Sequence, residues 1–110
     1  MAKASQDTLA DVDAEMMTDV LDGIEDKLMA LDGLLAGMSG AQSWENLAEY
    51  RRLVHSLKGL ARAFGLSGLA ALCHACEDGL AAAEPAARIT LAKRYLERMK
   101  ELFLDIDSRP

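Results

Sequence analysis

Of the two histidines in the chain, His55 stands in a run whose residue types suit group transfer: Val54-His55-Ser56-Leu57-Lys58-Gly59-Leu60-Ala61-Arg62-Ala63-Phe64-Gly65. Wound as an α-helix at about 100° per residue, this run places Leu53, Leu57, Leu60 and Phe64 within roughly 40° of the side opposite His55, with Tyr50 and Ala61 close by. His55 is therefore expected to point at water. Arg51, Arg52, Lys58, Gly59 and Arg62 fall within roughly 60° of the imidazole by the same arithmetic. An exposed imidazole ringed by cations is suited to an anion, and phosphoryl transfer is the chemistry that uses one. A neutral ring nitrogen is a good nucleophile near neutral pH, and its phosphoramidate stays reactive enough to be passed on. Lys58, one turn along, offers a point cation to offset the phosphoryl charge. Gly59 leaves no side chain above the ring, so that a partner's active site can close over it. The competing reading is a solvated helix face that happens to include a histidine, and a short motif alone does not decide between them.

The element carrying that run must be held by others, and the composition says of what kind. The chain has 110 residues, 51% of them hydrophobic and only five aromatic, which suits one domain spanning 1–110 with an aliphatic core. Alanine and leucine dominate and β-branched residues are few, which favours helices. Residues 1–7 carry no periodic apolar signal and are expected to fray. From Thr8, the positions Leu9, Val12, Met16, Val20, Ile24, Leu28, Leu31, Leu35 and Met38 recur every three or four residues, the mark of a long amphipathic helix. Gly23 and Gly33 each cost roughly 1 kcal/mol against alanine inside a helix, so a kink or two shorter helices is expected. Its nine acids from Asp7 to Asp32 form a solvated face without the loop spacing of a calcium site.

Gly37 to Ser43 reads as a turn, with Ser43 the expected N-cap of the helix bearing His55 and Gly65 its C′ residue. Ser67 can cap a third helix running to about Ala82, with Leu69, Leu72, Cys76 and Leu80 buried. Glu84-Pro85 breaks it, and the proline suits the first turn of a fourth helix, whose apolar face is Ile89, Ala92, Leu96, Met99, Phe103 and Ile106. Short connections make neighbours antiparallel. The expected fold is all-α, an antiparallel up-down four-helix bundle with room for one additional short helix.

His55-Ser56-Leu57-Lys58-Gly59, followed by Ala61, Phe64-Gly65-Leu66, Leu69 and then His74 with Glu77, resembles the histidine phosphotransfer (HPt) family. It looks most like the N-terminal phosphotransfer domain of CheA-type chemotaxis histidine kinases, whose pattern runs H-S-x-K-G, F-G and H-x-x-E on the next helix. About thirty residues carry the likeness closely. The resemblance implies that His55 carries the phosphoryl group, that Lys58 assists, and that Glu77 and His74 hold the His55 ring from the neighbouring helix. Glu77 accepting from Nδ1 would leave Nε2 outward as the nucleophile. It further implies two partners, a histidine-kinase catalytic domain as donor and a response-regulator receiver domain as acceptor, which supplies the magnesium. Arg51, Arg52, Gly59 and Arg62 would then form the docking face. Leu60 and Arg62 stand where the family commonly has small residues, which puts the docking surface or partner choice in question.

Other constellations point elsewhere only weakly. Cys73-His74-Ala75-Cys76 has neither a second pair for zinc nor the histidine position of a haem attachment, and it falls beside an apolar stripe, so both thiols are expected in the core. No metal site and no cofactor are expected, nor is a glycine-rich nucleotide loop evident, so a phosphoryl donor must come from elsewhere. The methionines at 16, 17, 29, 38 and 99 read as core gap fillers. Trp44 fits either a staple for the second helix or a contact surface. A formal charge of −6 argues against nucleic acid, yet four cations against two acids between Ser43 and Gly65 make the histidine helix locally basic, which would help an acidic receiver pocket find it. Without an apolar run of about 18 residues or a signal-peptide start, a cytoplasmic monomer with no membrane contact is expected. Two rivals stand beside the phosphocarrier: a helical interaction module in which His55 is never modified, and the dimeric histidine-kinase hairpin, where an acid usually follows the histidine in place of Ser56.

Overall fold

The computed structural model describes residues 14–107, in which the apolar spacing resolves into α1 (Ala14–Ala36), α2 (Ala48–Ala63), α3 (Ser67–Ala82) and α4 (Arg88–Asp107). A 3₁₀ turn at Pro85–Ala87 leads into α4, so the proline starts a tighter turn than the α-helical one expected of it. Each helix packs on its neighbours in chain order, and α4 closes back on α1, giving the expected all-α four-helix bundle. Lys100 of α4 reaches Asp32 of α1 at 2.8 Å across that closing seam. The start of the first helix at Thr8 and the fraying of residues 1–7 fall outside the described residues.

Helix α1 buries Val20, Ile24, Leu28, Leu31 and Leu35, the stripe its spacing announces. It runs as one helix through Gly23 and Gly33, not as two shorter ones. A Cβ at Gly23 would lie 3.6 Å from Leu60 Cδ2, so this glycine sits in the α1–α2 seam, and the packing of five buried side chains outweighs about 1 kcal/mol per glycine. The methionines also depart from expectation. Met99 is fully buried and Met38 packs at the core's edge, but Met16, Met17 and Met29 are exposed, Met29 by 66%. Leucines and the fully buried Tyr50 fill the core instead.

The connection from α1 to α2 uses Gly40 at φ +73° and is tied to the α3–α4 connection: Gln42 N donates to Pro85 O at 3.0 Å, and Arg88 Nη1 donates to Gln42 O at 2.9 Å. Ser43 does cap, though not the helix itself. Its Oγ accepts from Asn46 N at 3.0 Å within a separate turn, and α2 begins only after Leu47. The end of α2 is as expected: Gly65 at φ +75° is the C′ residue, with Leu66 N on Ala61 O at 2.8 Å and Gly65 N on Arg62 O at 3.3 Å, the paired bonds of a Schellman end. This sharp reversal lays α3 beside α2. Helix α3 ends at Ala82 as expected and buries Leu69, Ala70, Cys73, Cys76 and Leu80, whereas Leu72, expected on the stripe, lies at its edge and is only partly buried. Both cysteines are free thiols in the core, as their place on the stripe indicated.

The rotation of α2 is the main correction. Its buried residues are Tyr50, Val54, Leu57, Lys58 and Ala61, whereas Leu53, Leu60 and Phe64 are only partly buried. The centre of the buried arc is thus turned by roughly 60° from the side opposite His55, toward Val54 and Lys58. The cause is that α2 has two neighbours: Leu60 serves the α1 seam at Gly23, while the Lys58 side serves α3. His55 therefore stands at the flank facing α3, still in water, and Lys58 is inside.

Candidate functional site

The α2 rotation brings His55 and Lys58 to α3, where Glu77 lies roughly 60° from the centre of the buried stripe and so leans toward α2. One carboxylate serves both. His55 Nδ1 is 3.2 Å from Glu77 Oε2, and Lys58 Nζ is 2.5 Å from Glu77 Oε1. Burial alone pushes the Glu77 carboxyl up, but the hydrogen bonds from Lys58 and His55, with their charges, outweigh it and hold the group below the ordinary value of 4.5. An ionised carboxylate can only accept, so Nδ1 must carry the proton and donate. The imidazole is 73% exposed, and its Nε2 is then left with a lone pair on the solvent side.

Lys58 is not on the wet face where spacing placed it. It is 8% exposed, its stem packed in the core and its ammonium committed to Glu77. Its position suits holding the carboxylate, where the sequence suggested a cation standing beside a phosphoryl group. His74, expected to hold the His55 ring, faces acids instead: Nε2 is 3.4 Å from Asp78 Oδ2 and Nδ1 is 3.9 Å from Glu77 Oε1. It lies roughly 120° from the centre of the α3 stripe, one step too far round to meet α2, and reaches the site only through Glu77.

The docking candidates divide between two clefts along the α2–α3 seam. One, of about 580 Å³, is lined by Trp44, Ala48 and Ala81, by Arg51 and Arg52 on the α2 edge, and by Glu77 and Asp78 on the α3 edge, with His55 in its lining. The other, of about 380 Å³, contains Arg62 and His74 with the Gly65–Ser67 corner, Ala70 and Ala71. Gly59 is exposed, and a Cβ added there would meet nothing within 4 Å. The cations are less available than counting implies, since Arg52 pairs with Glu49 and Lys58 with Glu77.

Arg51 is used in a way the sequence did not disclose. Its guanidinium carbon lies 4.1 Å from the centroid of the Trp44 ring, Nη2 donates to Trp44 O at 3.1 Å, and Nε is buried without an acceptor. Arg88 lies over the same ring at 5.4 Å. Trp44 precedes α2 in an irregular turn, so no helical period connects it to Arg51, and only the folded loop reveals the pairing.

No helix among the described residues is long and apolar enough to cross a membrane. Comparison with curated proteins and with solved structures returns no match. Residues 9–107 match the family model of the Hpt domain, a span that takes in all four helices and the His55–Glu77 pair. The chain belongs to the Hpt domain family, whose function is histidine phosphotransfer in phosphorelays.

Proposed function

We propose that His55 is the phosphoryl-carrying residue, taking the group from a histidine-kinase catalytic domain and yielding it to the aspartate of a response-regulator receiver domain. The observation that carries this is the 3.2 Å contact of Nδ1 with an ionised Glu77, on a ring whose opposite nitrogen faces water. In the first step the Nε2 lone pair attacks the γ-phosphorus of ATP held by the donor, and the bond from phosphorus to the bridging oxygen breaks to release ADP. The Nδ1 proton stays on the ring, and Glu77 offsets the positive charge that the ring gains. In the second step a carboxylate oxygen of the receiver attacks phosphorus, the P–N bond breaks, and its electron pair returns to Nε2. Lys58 and, more distantly, His74 act through Glu77 as positioning residues. The H-S-x-K-G, F-G and H-x-x-E pattern favours a CheA-type chemotaxis kinase as the setting, in the cytoplasm, with the domain acting as a monomer and binding no nucleotide itself. Incubation with a donor kinase domain and labelled ATP tests the reading: the parent gains an acid-labile label, and His55→Gln gains none at an unchanged melting temperature. Persistent labelling of His55→Gln would remove His55 from the role.

A further inference from the structure

We propose that the cleft on the Trp44 side of His55 is the seat of the receiver domain, and that Trp44, fixed by Arg51, determines which receivers fit. This rests on the phosphotransfer reading above and adds to it a side of approach and a specificity element outside the histidine motif. His55 helps line this cleft and not the one at Arg62, so a partner seated here lies beside the exposed imidazole. Trp44, Ala48 and Ala81 give it apolar ground, between an α2 edge bearing Arg51 and Arg52 and an α3 edge bearing Glu77 and Asp78. A receiver must bring its phosphoacceptor carboxylate and neighbouring acids to the phosphoryl group, and the arginine edge is the one those acids complement. The occupant that fits is an apolar receiver side chain seated among Trp44, Ala48 and Ala81, with carboxylates over Arg51 and over Arg52, which would exchange its exposed pairing with Glu49 for the partner's acid.

Trp44 lies in a connection, yet it is held like a helix residue. Arg51 stacks on its ring and bonds its carbonyl, Arg88 approaches the same ring, and the Gln42 bonds to Pro85 and Arg88 pin the loop against the α3–α4 corner. A preorganised tryptophan beside arginine is the type of group that dominates binding energy, because little freedom is lost when a partner covers it. A connection between helices can thereby set partner choice without touching the His55–Glu77 pair.

The test separates loading from transfer. The full chain is phosphorylated at His55 with phosphoramidate, which needs no protein partner, and the label is then offered to a receiver. Ala81→Arg fills the cleft from the last turn of α3, where a cation suits the helix end, and Trp44→Ala removes one wall. Both should load at the parental rate, and transfer to the receiver should fall by at least about tenfold. Ala71→Arg, in the other cleft, should transfer as the parent does. Parental transfer by Ala81→Arg would overturn the proposal. So would slowed loading of that variant from the kinase domain with receiver transfer intact, which would give the cleft to the donor. If the parent accepts label from neither phosphoramidate nor kinase, the phosphotransfer reading itself fails.

Discussion

Gly59 offers a test in which folding and function should move in opposite directions. It lies inside α2 four residues after His55, is exposed, and an added Cβ would meet no atom within 4 Å. Alanine there removes backbone freedom from the unfolded chain and adds no clash, which is worth about 1 kcal/mol. With an unfolding entropy of about 2.1 cal/mol/K per residue over a domain of this size, that is a rise of about 5 °C in Tm. Lysine, nearly as good a helix former, should raise Tm by about 3 °C. Residues four apart on a helix have their Cβ atoms about 5–6 Å from each other, so the lysine stem would stand beside the imidazole and in the path of a closing receiver loop. Thermal melts by circular dichroism, paired with transfer of label from phospho-His55 to a receiver, should show Gly59→Ala stable and active, and Gly59→Lys stable with transfer reduced by at least about tenfold. Gly23→Ala serves as control, since its added Cβ makes only an ordinary contact with Leu60 and lies far from the ring's open side. A Gly59→Lys protein that melts below the parent would mean that the face is not open. One that is stable and transfers at the parental rate would mean that the receiver does not pass over it.

The remaining predictions concern the ion pair and the core. Glu77 should titrate below 4.5, so its contribution to stability is present above that pH and lost as the pH falls through its lower folded midpoint; Glu77→Gln should flatten this part of the acid denaturation curve, and an unchanged curve would refute the coupling. Lys58→Met keeps the buried stem and removes the ammonium, so it should cost about 1 kcal/mol, shift the Glu77 carboxyl upward in an NMR titration and slow loading of His55, whereas an unmoved carboxyl would mean that Lys58 does not hold it. Burial pushes both cysteine thiols up to about 12, so Cys73 and Cys76 should resist iodoacetamide at pH 8.5 until urea unfolds the domain; prompt labelling of the native protein would contradict their place in the core.

The helices, and the ends of α2 and α3, were legible because they depend on local signals, the three-four spacing of Val20 to Leu35, the glycine at 65 and the Glu84-Pro85 break, whereas the start of α2 was not, because Ser43 caps a separate turn. The contact between His55 and Glu77 was likewise anticipated, by the resemblance rather than by the spacing of either helix. What failed was orientation. An apolar arc wide enough to serve two neighbours has no single centre, so averaging Leu53, Leu57, Leu60 and Phe64 aimed α2 at one neighbour and left Lys58 outside. His74 was placed on the ring of His55 by the resemblance alone, and its position one step further round α3 turns it to Asp78 and Glu77 instead. The Trp44–Arg51 stack was not legible at all, because it depends on a non-helical turn held by the bond of Gln42 to Arg88, 46 positions on.

The proton on Nδ1 is assigned by a carboxylate 22 positions away on another helix. The proposed nucleophile is thus a tertiary object: a peptide copying residues 48–63 would contain the histidine, the lysine and the glycine, yet its imidazole would exchange freely between its two tautomers. Reactivity at Nε2 is then gated by the register of one helical hairpin, which makes α2 with α3 the smallest unit of the chain in which this histidine has a defined chemical identity. Any slip of α3 along α2, even one that kept every leucine buried, would separate the acid from the ring and silence the site without unfolding it.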